Sequence, residues 1–334
     1  MNIYRKESWQ AHIGYSWLVL IIILTVSGNA GAEIIHHQLK VQLLPEQGRI
    51  SVVDNVQFPA TPASAIFTLR SSLAVTANGV ELEPLGDTAD GRIRIYRINR
   101  LPDDRKVQLS YQGSIAAAGN KAAFDMPESV LDNAGVYLDN GSAWLPRFDG
   151  YPLATFRLEV EAPRDWEIIS QGKRRQQGNS YSFNMPQPQD EIYLLGGLYK
   201  RFSMVDDGTE IAVYLYQADE KLAQSYLQAC KQYLALYSDW IGPYPYAKFA
   251  VVENRWQTGY GMPSFTLLGS RVIRLPFIMY TSLPHEIVHN WWGNGVYLDL
   301  SHGNWSEGLT AYMSDHYNDE QKGNDSEYRR KALE

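Results

Sequence analysis

Between Glu33 and about Arg201, apolar and polar residues alternate with a period of two. Successive strand side chains point to opposite faces, so the alternation predicts strands with one buried face. It is clearest over Gln38–Leu43, Arg92–Ile98, Val107–Tyr111 and Thr155–Val160. Turn-forming pairs separate these runs at Asn78-Gly79, Asp90-Gly91, Gly119-Asn120 and Asn140-Gly141. Many short strands with such punctuation predict an antiparallel sandwich or saddle-shaped sheet. Lys173-Arg174-Arg175 reads as a solvated hairpin tip, and the aromatic positions read as core and cross-strand pairs. No internal repeat or low-complexity tract is present.

The period changes after the turn Asp206-Asp207-Gly208. Ile211–Tyr216 reads as a strand. Leu222, Tyr226, Ala229, Cys230, Tyr233, Leu234 and Tyr237 then recur at three and four, which predicts an amphipathic helix ending near Gly242-Pro243. Phe249–Val252 reads as a short apolar strand. The glycines of Thr258–Gly269 permit unusual backbone angles or close approach of another chain. Ser326–Leu333 is again helical in pattern. The fold class expected is α+β and multidomain: an antiparallel β domain at 33–202, then a mixed domain at 203–334.

Residues 1–32 read as a targeting segment. Arg5 and Lys6 give a basic start, Trp17–Val26 is apolar apart from Thr25, and Ala30-Gly31-Ala32 fits a small-residue cleavage site. A comfortable membrane span needs about 20 apolar residues, more than this run supplies. A cleaved export signal is therefore preferred over an anchor through residues 16–29, which predicts a periplasmic or extracellular protein. The apolar share of 45% and charged share of 20% fit an ordinary globular chain. A net charge of −7, with no basic patch, argues against nucleic acid as a partner. Cys230 is the single cysteine, so no internal disulfide can form, and its apolar helical setting predicts a core thiol.

The candidate chemistry lies in Ser282–Asn294, which contains His285-Glu286-Ile287-Val288-His289. Helical residues four apart share a face, so His285 and His289 can offer imidazole nitrogens to one metal ion. Glu286 can then take a proton from water on that metal. Thr281 or Ser282 is expected to cap the helix, Pro284 to sit in its first turn, and Gly293 and Gly295 to end it. A catalytic zinc site needs a third protein ligand and an open position. Glu307, separated from His289 by seventeen residues, is the candidate, at the start of a helix for which Asn304 offers a capping box. His302 reads as a solvated turn residue. His316, nine residues past Glu307, is not expected to face the same ion.

With those residues in view, the chain resembles the aminopeptidase-N-like zinc metallopeptidases of the gluzincin group. That family's helix reads H-E-x-x-H-x-W-x-G-N, and His285–Asn294 give His-Glu-Ile-Val-His-Asn-Trp-Trp-Gly-Asn. Glu307-Gly308 is similar to the family's downstream Glu-Gly, with Tyr312 at the place of its aromatic residue. Gly242–Lys248 is similar to its Tyr-Pro…Lys segment, and Trp144–Asp149 to its Trp-x-Pro…Asp segment. The resemblance implies a saddle-like β domain and a thermolysin-like zinc catalytic domain, expected to be incomplete at its C-terminal end. It implies one Zn2+ per chain and a peptide substrate.

This chain departs from the family in three places. Glu307 lies one residue closer to His289 than the family's third ligand. The family's G-x-M-E-N motif, whose Glu holds the substrate's free amino terminus, is matched by Tyr260-Gly261-Met262-Pro263-Ser264. Pro263 has neither the carboxylate nor an amide donor; backbone around Gly261, Met262 and Pro263 is still expected to line the substrate cleft. The family's transition-state tyrosine lies well downstream of the Glu ligand, and neither Tyr312 nor Tyr317 is assigned its role.

The activity expected is zinc-dependent peptide hydrolysis with Glu286 as general base, aminopeptidase-like but with altered amino-terminus recognition, or endopeptidase. The alternative is a catalytically weak family member that binds peptide or protein without turnover. Ester or epoxide hydrolysis has no positive support in the sequence.

Overall fold

The computed structural model describes residues 33–115, 129–257, 259–299, 301 and 303–333. The targeting segment 1–32, the turn Gly119-Asn120, Thr258 and His302 lie outside the described residues. Residues 32–334 belong to one compact unit. Among the described residues, no helix is long and apolar enough to cross a membrane.

The alternating region forms three sheets. The largest has seven strands, with Ile35–Leu44 at its centre, hydrogen-bonded to Arg49–Gln57 on one side and Ala154–Glu161 on the other. Burial along Ile35–Leu44 alternates as the sequence pattern requires, with Ile35, Leu39, Val41 and Leu43 inward. The sheet differs from the expected antiparallel arrangement at one pairing: Ile35–Leu44 runs parallel to Ala154–Glu161. A parallel pair needs a long crossover, and two four-stranded antiparallel sheets are built within and around that connection. Phe67, Trp144, Phe156 and Phe183 meet in the shared core.

One local expectation changes here. Lys173–Gln177 is an edge strand rather than a hairpin tip. Arg174 turns inward, its side chain only 7% exposed, and pairs with Glu167 at 2.5 Å. Asn140–Ser142 is a short 3-10 turn, capped by the Asp139 side chain on the Ser142 amide.

The second part is a five-stranded mixed sheet that begins at Lys200. Asp206-Asp207-Gly208 is the tip of its first hairpin. Thr209–Leu215, Lys248–Asn254 and Phe265–Gly269 run parallel in its interior, and Gly259–Met262 forms an edge. Every residue of Lys248–Asn254 is buried, as parallel strands covered on both faces require. Phe249 and Val251 pack towards the helices; Ala250 and Val252 pack towards Val130, Tyr137 and Leu195 of the β region.

Helix α1 (Glu220–Ile241) covers the first of those faces. Asp219 caps it, Ala223, Tyr226, Leu227, Cys230, Leu234 and Tyr237 form its buried stripe, and Gly242 follows it. Cys230 is fully buried, as its spacing predicts. Helices α2 (Ser282–Val288) and α3 (Trp305–Ala311) complete the layer, followed by α4 (Tyr317–Gln321) and α5 (Asp325–Leu333).

Candidate metal centre

Helix α2 is anchored by Leu283, Ile287 and Val288, all buried against α1 and the sheet. That packing leaves His285, Glu286 and His289 half-buried on the other face. The expected Thr281 or Ser282 cap is not made. The Thr281 hydroxyl instead donates to the Phe277 carbonyl at 3.0 Å, so the preceding turn, not the helix, takes this side chain. At the other end the chain tightens after Val288. Asn290 Nδ2 donates to the Glu286 and Ile287 carbonyls, both at 3.1 Å. Gly293, at φ +104°, then reverses the chain, and the Asn294 amide donates to the His289 carbonyl.

The third candidate arrives on α3. Asn304 Oδ1 accepts from the Glu307 amide at 3.2 Å, the cap that the sequence predicts. The shorter spacer after His289 still brings Glu307 to both imidazoles. Its carboxylate lies 3.2 Å from His285 Nε2 and 3.3 Å from His289 Nε2, and the two Nε2 atoms are 3.2 Å apart. Donor atoms about 2.0–2.1 Å from a tetrahedral zinc stand about 3.3 Å from one another. Glu307 meets His285 through Oε1 and His289 through Oε2, so the spacings suit one ion shared by the two imidazoles and the carboxylate.

Proton bookkeeping points the same way. His289 Nδ1 faces the Trp292 carbonyl at 3.1 Å, with the Thr310 hydroxyl at 3.3 Å. A carbonyl can only accept, so Nδ1 carries the proton and Nε2 presents a lone pair. His285 Nδ1 faces Asp315 Oδ2 at 3.2 Å, which sets the same tautomer. With both imidazoles neutral, two lone pairs and a carboxylate therefore converge with no donor between them. A cation relieves that repulsion, and the donor set is one that zinc accepts. Among the described residues, His285, His289 and Glu307 form the metal-compatible group of three.

Glu286 lies beside this group, against the edge strand. Burial raises its carboxyl pKa to about 7, His285 opposes the rise, and Glu307 and Asp315 add to it. Burial lowers the pKa of His289. In His285 burial acts downwards, but Asp315, Glu286 and Glu307 together outweigh it, and the net shift is upwards. Gly261 of that strand faces Glu286: a Cβ there would fall 2.3 Å from Oε2. Met262 and Pro263 are buried. Pro263 and Ser264 make the two-residue turn between Gly259–Met262 and Phe265–Gly269, with Ser264 at φ +70°. Pro263 therefore does not present its side chain to a cleft.

His316 is buried elsewhere, stacked on Tyr312 and edge-on to Tyr328. Tyr312 is 64% exposed and Tyr317 packs against Trp240. Sequence spacing misses Asp315. Its eight-residue distance from Glu307 is out of phase with a regular helix, so no periodicity argument finds it.

No family model matches the sequence, and no curated protein does. Solved structures match by shape. An M1 zinc metallopeptidase from Deinococcus radiodurans superposes with a TM-score of 0.62 at 17% identity, over 87% of this chain and 71% of that one. A mutant of the Deinococcus radiodurans enzyme bound to a Tyr-Ser-Ala substrate gives 0.60 at 15% identity, over the same shares. Native yeast LTA4 hydrolase gives 0.58 at 17% identity, over 79% of this chain and 44% of that one. The chain thus has the fold of M1 zinc metallopeptidases, a mostly β N-terminal region followed by helices.

Proposed function

We propose that the chain is a zinc-dependent peptidase in which His285, His289 and Glu307 hold one Zn2+ and Glu286 is the general base. The observation that carries this reading is the convergence of both Nε2 atoms and the Glu307 carboxylate, each pair 3.2–3.3 Å apart, beside the half-buried carboxylate of Glu286. Zinc held there supplies a Lewis acid for the scissile carbonyl and lowers the pKa of water to about neutrality. Glu286 accepts the proton of the attacking water and passes it to the leaving amine.

Peptides are the substrate class that the neighbours support: one holds Tyr-Ser-Ala, and a related two-domain enzyme holds L-arginine. The outer edge of Gly259–Met262, beside Glu286, is suited to pair with an extended substrate backbone. With Pro263 where a carboxylate would hold the free amine, the enzyme is aminopeptidase-like with weakened amino-terminus recognition. We read 33–202 as the β domain, 203–334 as a thermolysin-like catalytic domain, and 1–32 as an export signal, so the substrates are extracytoplasmic. The test is metal analysis of the purified chain with hydrolysis assays before chelation, after it, and after zinc is restored. Zinc at one equivalent with activity lost and regained supports the reading; zinc-independent hydrolysis, or bound zinc without turnover, overturns it.

A further inference from the structure

Asp315 stands eight residues after Glu307, yet its carboxylate reaches His285 Nδ1. An α-helix advances about 100° per residue, so eight steps leave a side chain about 80° from its starting direction. The segment between them is not regular. Tyr312–His316 forms a π turn, which takes up one extra residue. Counted as seven steps, Asp315 falls within about 20° of the Glu307 direction, and both carboxylates face α2.

Ser314 gives the local cause. Its hydroxyl donates to the Thr310 carbonyl at 2.6 Å, the acceptor that a regular helix assigns to a backbone amide. Both flanks hold the extra residue in place. Upstream, Thr310 is buried with its hydroxyl beside His289. Downstream, His316 is buried on Tyr312 at 5.1 Å and Tyr317 meets Trp240 edge-on at 4.7 Å. Sliding the turn along the helix would break one set of contacts or the other.

We propose that this π turn is the device that delivers Asp315 to His285, and that Asp315 is a positioning residue for the metal site. It holds the proton on Nδ1 and so aims the Nε2 lone pair at the centre shared with His289 and Glu307. The proposal rests on the zinc reading above and adds the element that sets the ligand's tautomer and orientation. Partners of this kind are worth about 10–100-fold in metal affinity.

The experiment measures zinc affinity of the full chain by competition with a chromophoric chelator, with the 15N resonances of His285 as a second readout. If the unaltered chain takes up no zinc, the site reading and this proposal fall together. If it does, Asp315→Asn is expected to bind zinc about 10–100-fold more weakly. It should also shift the His285 Nδ1 resonance and leave the melting temperature of the metal-free protein unchanged. Equal affinity, or an unmoved Nδ1 resonance, overturns the role of Asp315 while leaving the zinc site standing. The register is tested by moving the carboxylate. Deletion of Ser314, which removes the extra residue and leaves the carboxylate seven positions after Glu307, should retain affinity. A deletion variant that binds zinc as weakly as Asp315→Asn overturns the π turn as the delivering device.

Discussion

Gly261 and Glu286 are in such close contact that the strand has no room for a side chain there: a methyl group on Gly261 would lie 2.3 Å from Glu286 Oε2. The clash is with the tip of a flexible side chain, so the fold can absorb it by turning the carboxylate away. Gly261→Ala is therefore expected to keep its zinc and most of its stability. A misplacement of about 1 Å at a reacting group can cost about 100-fold in rate, and kcat should fall by that order. Steady-state kinetics beside metal analysis checks this; unchanged kcat would remove Glu286 from its assigned place.

Glu286→Gln keeps the shape of the side chain and loses its basicity. Loss of a general base costs about 100- to 10,000-fold in rate, and zinc stoichiometry should remain at one per chain. Retained activity with full zinc would contradict the role given to Glu286.

The same carboxyl makes a pH prediction for the metal-free protein. Its folded pKa of about 7 lies above the ordinary 4.5, chiefly through burial. Between those values the folded chain holds a proton that the unfolded chain has released, so stability falls as pH rises through that window. Melting temperatures of the chelated protein from pH 4.5 to 7 should show this decline. Glu286→Gln should flatten it.

Lys248 predicts the opposite slope in a different window. It is 2% exposed, its Nζ lies 3.0 Å from Ser264 Oγ, and burial lowers its pKa from 10.5 to about 7. Between about 7 and 10.5 the unfolded chain binds more protons than the folded one, so stability rises with pH there. Lys248→Met should flatten that rise and stabilise the protein at neutral pH, as followed by thermal melts from pH 6.5 upwards.

Asn304 connects helix capping to the metal. Losing its hydrogen bond to the Glu307 amide in Asn304→Ala should cost about 1 kcal/mol and free the first turn of α3. Zinc affinity should fall together with stability. A drop in melting temperature with unchanged affinity would separate Glu307 from its cap.

The buried turn at Pro263 bears on substrate choice. With no carboxylate at that position, acetylating a peptide's amino terminus should lower kcat/KM much less than in an enzyme that requires the free amine. Paired free and acetylated peptides, with products identified by mass, decide it; strict dependence on the free amine would show that another group holds it.

What could be read in the sequence was local. His285 and His289 share a face because four residues make about one turn, Asn304 caps three residues ahead, and Gly293 reverses the chain where the helix must stop. Strand positions emerged from alternation for the same reason. What escaped depended on partners in other elements, on a competing acceptor nearby, or on broken periodicity. The parallel pairing of Ile35–Leu44 with Ala154–Glu161 leaves no mark on either strand. Arg174 looked solvated because its partner, Glu167, acts across a sheet edge. Thr281 had a competing acceptor in Phe277, and Asp315 was hidden by the residue that the π turn absorbs.

The central place of Ile35–Leu44 also has a consequence for biogenesis. One of the two neighbours of this strand is Ala154–Glu161, made more than a hundred residues later. Contacts so distant in sequence are slow to close, and until they do, one side of the strand carries open amide and carbonyl groups able to pair with another chain. The nascent chain therefore has a built-in interval of vulnerability to aggregation. That interval ends only when Ala154–Glu161 has been made and is free to pair.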